Sequence, residues 1–207
     1  TGAVASGKST LGRVFIGEVP YRGSVSVCGR ELAELDDCGR SRLISYMGHE
    51  PELLNDTLAE NIRLGEEGDV EPVLRAVCLD GEARGMPQGV DTQVGSGGVR
   101  LSGGQQARLA LARSLYNARV VIILDDPFSA VDRATEQAIL DNLRDLAKDK
   151  AVVIFSHRLY QFPSFDGVLF LSGGGGVFST HDELMRSSAE YTGLFNRQMG
   201  GGGENEA

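Results

Sequence analysis

The sequence has 207 residues, enough for one well-packed domain with a smaller lobe attached but short for two independent domains. Its formal charge of −9 argues against a broad basic surface that would bind the phosphate backbone of a nucleic acid, so no nucleic-acid partner is predicted. No apolar run approaches the roughly 18 to 20 residues that cross a bilayer, and the three cysteines lack the paired spacing of a metal or disulfide site.

The chain opens with a glycine-rich motif. From Gly2 onward it matches G-x-x-x-x-G-K-[ST], a loop whose N–H groups cradle phosphate oxygens. Lys8 is placed for the outer phosphates and the Ser9 hydroxyl for Mg²⁺. The sequence has only three lysines against 17 arginines, and one of the three is Lys8. A compact ammonium fits between two phosphates, whereas a planar guanidinium does not. The predicted nucleotide ligands are Gly2, Ala3, Ala5, Ser6, Gly7, Lys8, Ser9 and Thr10.

Thr1 already lies inside this loop, although a strand normally leads into such a motif. We therefore interpret the sequence as N-terminally truncated, without that strand and without an aromatic residue that would stack on adenine. A parallel sheet that loses a central strand leaves backbone N–H and C=O groups unpaired. The fragment alone is accordingly expected to fold with difficulty.

Hydrophobic periodicity predicts an α/β domain with a mostly parallel sheet. Continuous apolar runs at 120–124 and 151–155 are typical of parallel strands buried on both faces. The other predicted elements are a helix at 8–19, strands at 23–28 and 43–47, helices at 58–64 and 70–78, a helix after residue 105, a crossover helix at 134–146, a hairpin over 168–179, and helices at 181–186 and 190–198.

The pattern divides the chain into four parts. Residues 1–48 form the first part of the core, and 49–100 form an inserted helical subdomain whose short helices are interrupted by glycines and Pro87. Residues 101–199 comprise a long helix, the rest of the core and the last helices. Residues 200–207 are predicted to be a disordered tail.

A second anion site is predicted at Leu101-Ser102-Gly103-Gly104-Gln105, which opens a largely apolar helix. Two glycines after a serine expose N–H groups at a helix start, where the helix dipole favours a phosphate. Glycines there cost stability unless the bare backbone is needed. Because the first loop already serves the chain's own nucleotide, the second site needs a phosphate from elsewhere, and a second, similar chain is the economical source.

This motif resembles the signature of ABC-type ATPases, which sandwich ATP between the P-loop of one subunit and the signature of the other. The resemblance implies a P-loop NTPase (RecA-like) fold, ATP and Mg²⁺ as ligands, and contacts to the partner's nucleotide from Leu101, Ser102, Gly103, Gly104 and Gln105. The stretch 128–132 resembles the family's D-loop and adds Asp132, which could also simply cap the next helix.

Two adjacent aspartates end the strand at 120–124, at the edge where ligands bind in open α/β sheets. By resemblance, Asp125 holds Mg²⁺, and Asp126 stands where the family usually has a glutamate that polarises the attacking water. An aspartate is one methylene shorter, and a misplacement of about 1 Å can cost on the order of 10²-fold in rate. Two acids at a strand end could alternatively cap the next helix. His157 resembles the switch histidine that contacts the γ-phosphate, although a lone histidine is often structural.

His49 stands where the family's Q-loop has glutamine, and a neutral imidazole is a poor partner for Mg²⁺. Together with Asp126 it predicts a site that binds ATP and turns it over slowly. This asymmetry resembles the degenerate half of heterodimeric exporters. The stretches 124–132 and 55–58 also look like the first nucleotide-binding domain of ABCC-type transporters.

The resemblance predicts the ATP-binding, ATP-hydrolysing domain of an ABC exporter at the cytoplasmic face of the cell membrane. A transmembrane domain would be fused upstream of Thr1, and the partner would be a second ABC nucleotide-binding domain, giving a heterodimer. Two alternatives stay open: a largely non-hydrolysing, ATP-dependent dimerisation or regulatory half, and a soluble ABC ATPase without a transport role.

Overall fold

The computed structural model describes residues 1–3, 5–50 and 52–200. The predicted tail lies outside this range except for Gly200, which is the last residue of the final helix. The elements in chain order are α1 (Lys8–Phe15), β1 (Ser26–Val27), β2 (Arg30–Glu31), α2 (Asp37–Ser41), β3 (Ile44–Met47), α3 (Leu58–Arg63), α4 (Glu71–Ala76), α5 (Asp80–Arg84), α6 (Gly103–Tyr116), β4 (Val121–Asp125), α7 (Arg133–Leu146), β5 (Ala151–Phe155), β6 (Val168–Ser172), β7 (Gly175–Ser179), α8 (His181–Ser187) and α9 (Ala189–Gly200).

The chain forms two compact units. The smaller unit combines Thr1–Gly12 with the segment that begins at Phe155, and the larger unit is Arg13–Ile154. None of the helices in the described part of the chain is long and apolar enough to span a bilayer.

The sheet of the larger unit has the strand order β3-β4-β5. Strands β3 and β4 run parallel, in a register from Ile44 opposite Val121 to Met47 opposite Leu124. All five residues of β4 are buried, as the apolar run predicted. Because parallel strands end at the same edge of a sheet, the residues that follow Met47 and Leu124 come close together.

Helix α6 is the core element of the larger unit, since it packs against α3, α4, β3 and β4. Residues on nearly its whole circumference are buried, as its apolar composition predicted. The buried Ser45 hydroxyl of β3 donates a 2.8 Å hydrogen bond to the Ser114 carbonyl of α6. Helix α6 is therefore anchored to the sheet near its C-terminal end.

The smaller unit is built on the antiparallel β6–β7 hairpin, whose register runs from Val168 opposite Ser179 to Ser172 opposite Gly175. Helices α8 and α9 contact each other, and the unit's core consists of Leu159, Phe162, Val168, Phe170, Leu184 and Tyr191. The Leu171 N–H of β6 donates a 2.8 Å hydrogen bond to the Thr1 carbonyl, so the first residues run beside β6.

The structure corrects two predicted elements. Helix α1 ends at Phe15 instead of residue 19, and Gly17 then turns the backbone into the left-handed region at φ 82°. The single strand predicted at 23–28 is instead a hairpin of β1 and β2. Its turn has Cys28 at φ 52° and Gly29 at φ 72°, the left-handed pair that a two-residue hairpin loop needs.

Candidate functional site

The glycine-rich loop runs from its pairing with β6 into the first turn of α1. Gly2 lies so close to β6 that a Cβ there would be 2.3 Å from the Leu171 carbonyl oxygen, which only glycine avoids. Gly7 has φ 91°, is exposed, and has open space where a Cβ would lie. The loop therefore presents bare backbone immediately before α1, as a phosphate cradle requires.

The Lys8 ammonium folds back over this loop. It donates hydrogen bonds of 2.9 Å to the carbonyls of Gly2 and Ala3, and it lies 3.5 Å from the Ser6 hydroxyl. Ser9 and Thr10 follow in the first turn of α1 and are exposed. The charge and the backbone donors are thus concentrated on one short segment, and this donor set fits a chain of phosphates.

His157 belongs to the same unit as the loop and lies two residues beyond β5. His157 is exposed, and its backbone carbonyl is bound by the Gln198 side chain of α9. The Gln198 amide NH₂ donates to the His157 carbonyl, and its oxygen accepts a 2.8 Å hydrogen bond from the Leu159 N–H. Gln198 is a supporting residue that the sequence pattern did not indicate.

In the larger unit, Asp125 and Asp126 differ sharply in environment. Asp125 is the last residue of β4 and is only 4 % exposed. Asp126 follows with φ 53°, a left-handed conformation that aspartate tolerates better than most residues. The two carboxylates are therefore separated by a sharp backbone turn.

His49 lies at the same sheet edge as Asp126. Its Nδ1 is 3.9 Å from Asp126 Oδ2, within ion-pair distance but beyond hydrogen-bond distance. The His49 side chain is 58 % exposed and the Asp126 side chain 12 %. The structure thus brings together the two positions at which the sequence departs from the usual ABC pattern.

The predicted signature forms the N-terminus of α6, with Ser102 as the N-cap. The Ser102 hydroxyl oxygen accepts a 3.2 Å hydrogen bond from the Gln105 N–H, and the Gln105 side-chain oxygen accepts a 2.8 Å hydrogen bond from the Ser102 N–H. This reciprocal capping box fixes the first turn. Gly104 packs so tightly that a Cβ would be 2.9 Å from the Ala130 carbonyl oxygen, whereas Gly103 has its nearest neighbour at 3.7 Å.

Asp132 is the N-cap of α7. Its carboxylate accepts a 3.0 Å hydrogen bond from the Thr135 N–H, and this interaction holds the pKa of Asp132 below its ordinary value. The capping role that the sequence left open is therefore present. The residue is also exposed, so the cap leaves one side of the carboxylate accessible.

The candidate residues fall into two sets. The glycine-rich loop and His157 lie in the smaller unit, and His49, Asp125, Asp126, Asp132 and 101–105 lie in the larger one. Across the described ranges there is no cluster of three or more His, Cys, Asp or Glu side chains that could hold a metal ion. Mg²⁺ bound with a nucleotide needs only one or two protein ligands besides phosphates and water, and the hydroxyl of Ser9 and the carboxylate of Asp125 have the right chemistry.

The sequence model of the family described as ABC transporter matches residues 1–129, more than half of the chain. The chain belongs to the ABC transporter family. It is 34 % identical over 205 residues to the glutathione/L-cysteine transport system ATP-binding/permease protein CydC of Bacillus subtilis, covering 96 % of this chain and 36 % of that protein. It is 37 % identical over 206 residues to the ATP-dependent lipid A-core flippase of Burkholderia pseudomallei, covering 96 % and 34 %.

Among solved structures, a bacterial Atm1-family ABC exporter with ATP bound matches with a TM-score of 0.88 and 29 % identity, over 96 % of this chain and 36 % of that one. The predictions of the P-loop NTPase fold and of an exporter-type ABC domain are confirmed. ATP-binding domains of ABC transporters are ATPases. The chain spans about a third of the length of the curated relatives it matches first.

Proposed function

We propose that this ABC domain binds and hydrolyses ATP within a larger exporter, and that ATP closes it against a second domain of the same kind. The observation that carries this proposal is the opening turn of α6. It is an exposed helix N-terminus with two consecutive glycines and a fixed serine cap, in a chain that already has a complete phosphate loop. The second phosphate-binding end serves the nucleotide of the partner.

The chain's own nucleotide is assigned to the residues of the glycine-rich loop with Lys8 over the outer phosphates. Ser9 and Asp125 would hold Mg²⁺, which neutralises charge on the phosphates when bound. Asp126 would orient the attacking water, and His157 would contact the terminal phosphate. The partner's nucleotide is assigned to the signature residues and Asp132.

The proposed hydrolysis at the chain's own site is slow. Aspartate is one methylene shorter than the glutamate usual at position 126, and its carboxylate lies 3.9 Å from the exposed His49 imidazole. This contact favours a second candidate function, in which the domain acts mainly as an ATP-dependent clamp and the partner's site does most of the hydrolysis.

The proposal for the larger setting is supported by the relatives, which are named as ATP-binding/permease proteins and flippases. We assign this domain to the cytoplasmic side of a membrane, joined to a transmembrane part that precedes it in the polypeptide. The inserted helical part at 49–100 would transmit closure to that membrane part. The unlike residues at positions 49 and 126 favour a partner with a different sequence.

The test uses the full-length protein assembled with its partner. Lys8→Ala is expected to abolish nucleotide binding at the chain's own site. Ser102→Arg is expected to leave that binding within about twofold and to lower ATP-driven closure, measured by cross-linking across the two domains, by at least tenfold. Retention of ATP-driven closure in Ser102→Arg overturns the proposal, because the signature would then play no part in the partner's site.

A further inference from the structure

The Glu82 side chain of α5 contacts two residues in the first turns of α6. Its Oε2 accepts a 2.5 Å hydrogen bond from the Gln105 side-chain NH₂, and its Oε1 lies 2.7 Å from an Arg108 guanidinium nitrogen. Each carboxylate oxygen therefore has its own partner. This arrangement could not be predicted from the sequence, because residues 85–102 separate α5 from α6.

The Gln105 side chain is bound at both ends. Its oxygen accepts from the Ser102 N–H at 2.8 Å, while its nitrogen donates to Glu82. The amide group thus bridges the signature backbone to a neighbouring helix, and it keeps one oxygen lone pair and one N–H for a ligand. The Ser102 hydroxyl accepts from the Gln105 N–H and keeps its own proton to donate. A phosphate at this end would be bound by that hydroxyl and by the glycine N–H groups.

Arg108 completes the cluster. It donates to the Cys78 carbonyl at 2.6 Å and to the Gly104 carbonyl at 3.2 Å, and its side chain is only 12 % exposed. A carboxylate near a helix N-terminus would compete with a phosphate for the positive end of the dipole. Because Arg108 pairs with Glu82, that negative charge is largely neutralised and the helix end stays available to an anion.

Burial by itself would raise the pKa of Glu82, but the hydrogen bonds from Gln105 and Arg108 and the Arg108 charge bring it below its ordinary value. Glu82 is therefore ionised at neutral pH. It acts as a fixed acceptor whose two oxygens orient two side chains of α6.

We propose that Glu82 is a positioning residue for the partner's nucleotide. It holds the Gln105 side chain in the rotamer that binds the Ser102 backbone, and so fixes the serine and glycine donors before ATP arrives. This inference rests on the proposed function, since it presumes that the signature binds the partner's ATP. It assigns to the α5 helix a direct part in preparing that site.

The experiment measures ATP turnover of the full-length, assembled protein against ATP concentration. Glu82→Ala is expected to raise the ATP concentration for half-maximal turnover about fivefold, the typical net effect of one lost hydrogen bond, with maximal turnover changed less than twofold. Glu82→Gln keeps one acceptor oxygen for Gln105. In this variant the ATP concentration for half-maximal turnover is expected to rise only about twofold. Nucleotide binding to the chain's own P-loop, followed with a fluorescent ATP analogue, is expected to stay the same.

A matched control is Glu60→Ala. Glu60 of α3 pairs with Arg63 at 3.3 Å, its side chain is 40 % exposed against 41 % for Glu82, and the pair lies on a helix of the same unit. This variant is expected to stay within twofold of the unchanged protein. If Glu60→Ala and Glu82→Ala shift the ATP concentration for half-maximal turnover equally, the inference is overturned, because both shifts would then reflect a general destabilisation of the unit.

A double-variant cycle tests whether Glu82 acts through Gln105. Glu82→Ala added to Gln105→Ala is expected to cause no further shift, because the side chain that Glu82 orients is already absent. A full additional fivefold shift overturns the inference. If Glu82→Ala fails to fold, the cycle is run with Glu82→Gln. If Ser102→Arg loses ATP-driven closure and the Glu82 variants have no effect, only this inference is overturned. If Ser102→Arg retains closure, the proposed function itself is overturned.

Discussion

His49 Nδ1 lies 3.9 Å from Asp126 Oδ2, so the two residues that depart from the usual ABC pattern face each other at one sheet edge. His49 follows β3 and Asp126 follows β4, which are neighbouring parallel strands. Substitutions at contacting positions are expected to be coupled. The effect of each on turnover should therefore be read together with the other.

Asp126→Glu is predicted to raise ATP turnover by about tenfold when His49→Gln is also present, and by clearly less when His49 remains. The longer carboxylate gains reach toward the attacking water, but in the single variant it stays beside the imidazole. The measurement is the steady-state ATPase rate of the assembled protein with both single variants and the double. Equal gains with and without His49 would show that the contact has no effect, and no gain in either would show that Asp126 is not limiting.

Ser102→Ala is predicted to lower stability by about 1 kcal/mol through loss of the N-cap, and also to weaken ATP-driven closure. Thr57→Ala is the control, because Thr57 caps α3 in the same unit with a 3.0 Å hydrogen bond from the Glu60 N–H. Both variants should show a similar shift in chemical denaturation. Only Ser102→Ala should reduce closure, and a matching loss in Thr57→Ala would attribute the effect to stability alone.

Gly104→Ala is predicted to cost about 1–3 kcal/mol, because the new Cβ would lie 2.9 Å from the Ala130 carbonyl oxygen and force the backbone to shift. Gly103→Ala is expected to be neutral within about 0.5 kcal/mol, since its nearest neighbour is 3.7 Å away. The two variants are compared by their melting temperatures in thermal unfolding. Equal melting temperatures would contradict the packing argument.

Arg113→Met is predicted to lower the free energy of unfolding by about 3 kcal/mol. Arg113 donates to the Asn61 carbonyl at 2.6 Å, the Asn61 side-chain oxygen at 2.9 Å and the Glu52 carbonyl at 2.9 Å, and the variant leaves these acceptors without their charged donor. Arg144→Met removes an exposed ion pair with Asp141 and should cost less than about 1 kcal/mol. Denaturant unfolding of both variants checks the difference.

The raised pKa of Tyr191 predicts that the free energy of unfolding falls at high pH. Its pKa is raised to about 12 by burial, against about 10 in an unfolded chain. Between these values the unfolded state releases its proton first, so stability is fully present below pH 10 and falls as the pH rises toward 12. Denaturant midpoints measured from pH 9 to pH 12 should show this fall.

Tyr191→Phe is the matched variant, since it keeps the ring and removes the ionisable hydroxyl. It loses the 2.8 Å hydrogen bond with His181, so its stability at pH 8 should be lower by about 1 kcal/mol. Its midpoint should then decline less between pH 10 and pH 12. An identical decline in both proteins would assign the effect to other groups.

The sequence predicted the elements whose signals are local. The strand Ala151–Phe155 has the predicted bounds, and β4 differs by one residue at each end. The predicted burial on both faces is confirmed for β4, whereas β5 is buried only at Phe155, because it lies at the edge of the described three-stranded sheet. The β1–β2 turn was missed because Cys28 is not a typical residue for a left-handed turn position. Local patterns describe φ preferences only on average.

The side-chain arrangement of the site was beyond the sequence. Helix α6 and its glycines could be predicted, but the 76 positions between His49 and Asp126 carry no signal for a contact, which depends on the parallel register of β3 and β4. The bridge from Glu82 to Gln105 likewise depends on how α5 packs. Motifs name the residues that meet a ligand, whereas tertiary packing decides which neighbours orient them.

Arg113 binds the main-chain oxygens of Glu52 and Asn61, and of the three hydrogen bonds that it donates to described residues, one is to a side chain. Every amino acid supplies the same carbonyl group. A substitution at Glu52 therefore leaves the acceptor for Arg113 in place, whereas one at Asn61 removes a side-chain acceptor. The backbone at position 52 is thus tied to α6 while its exposed side chain stays open to substitution.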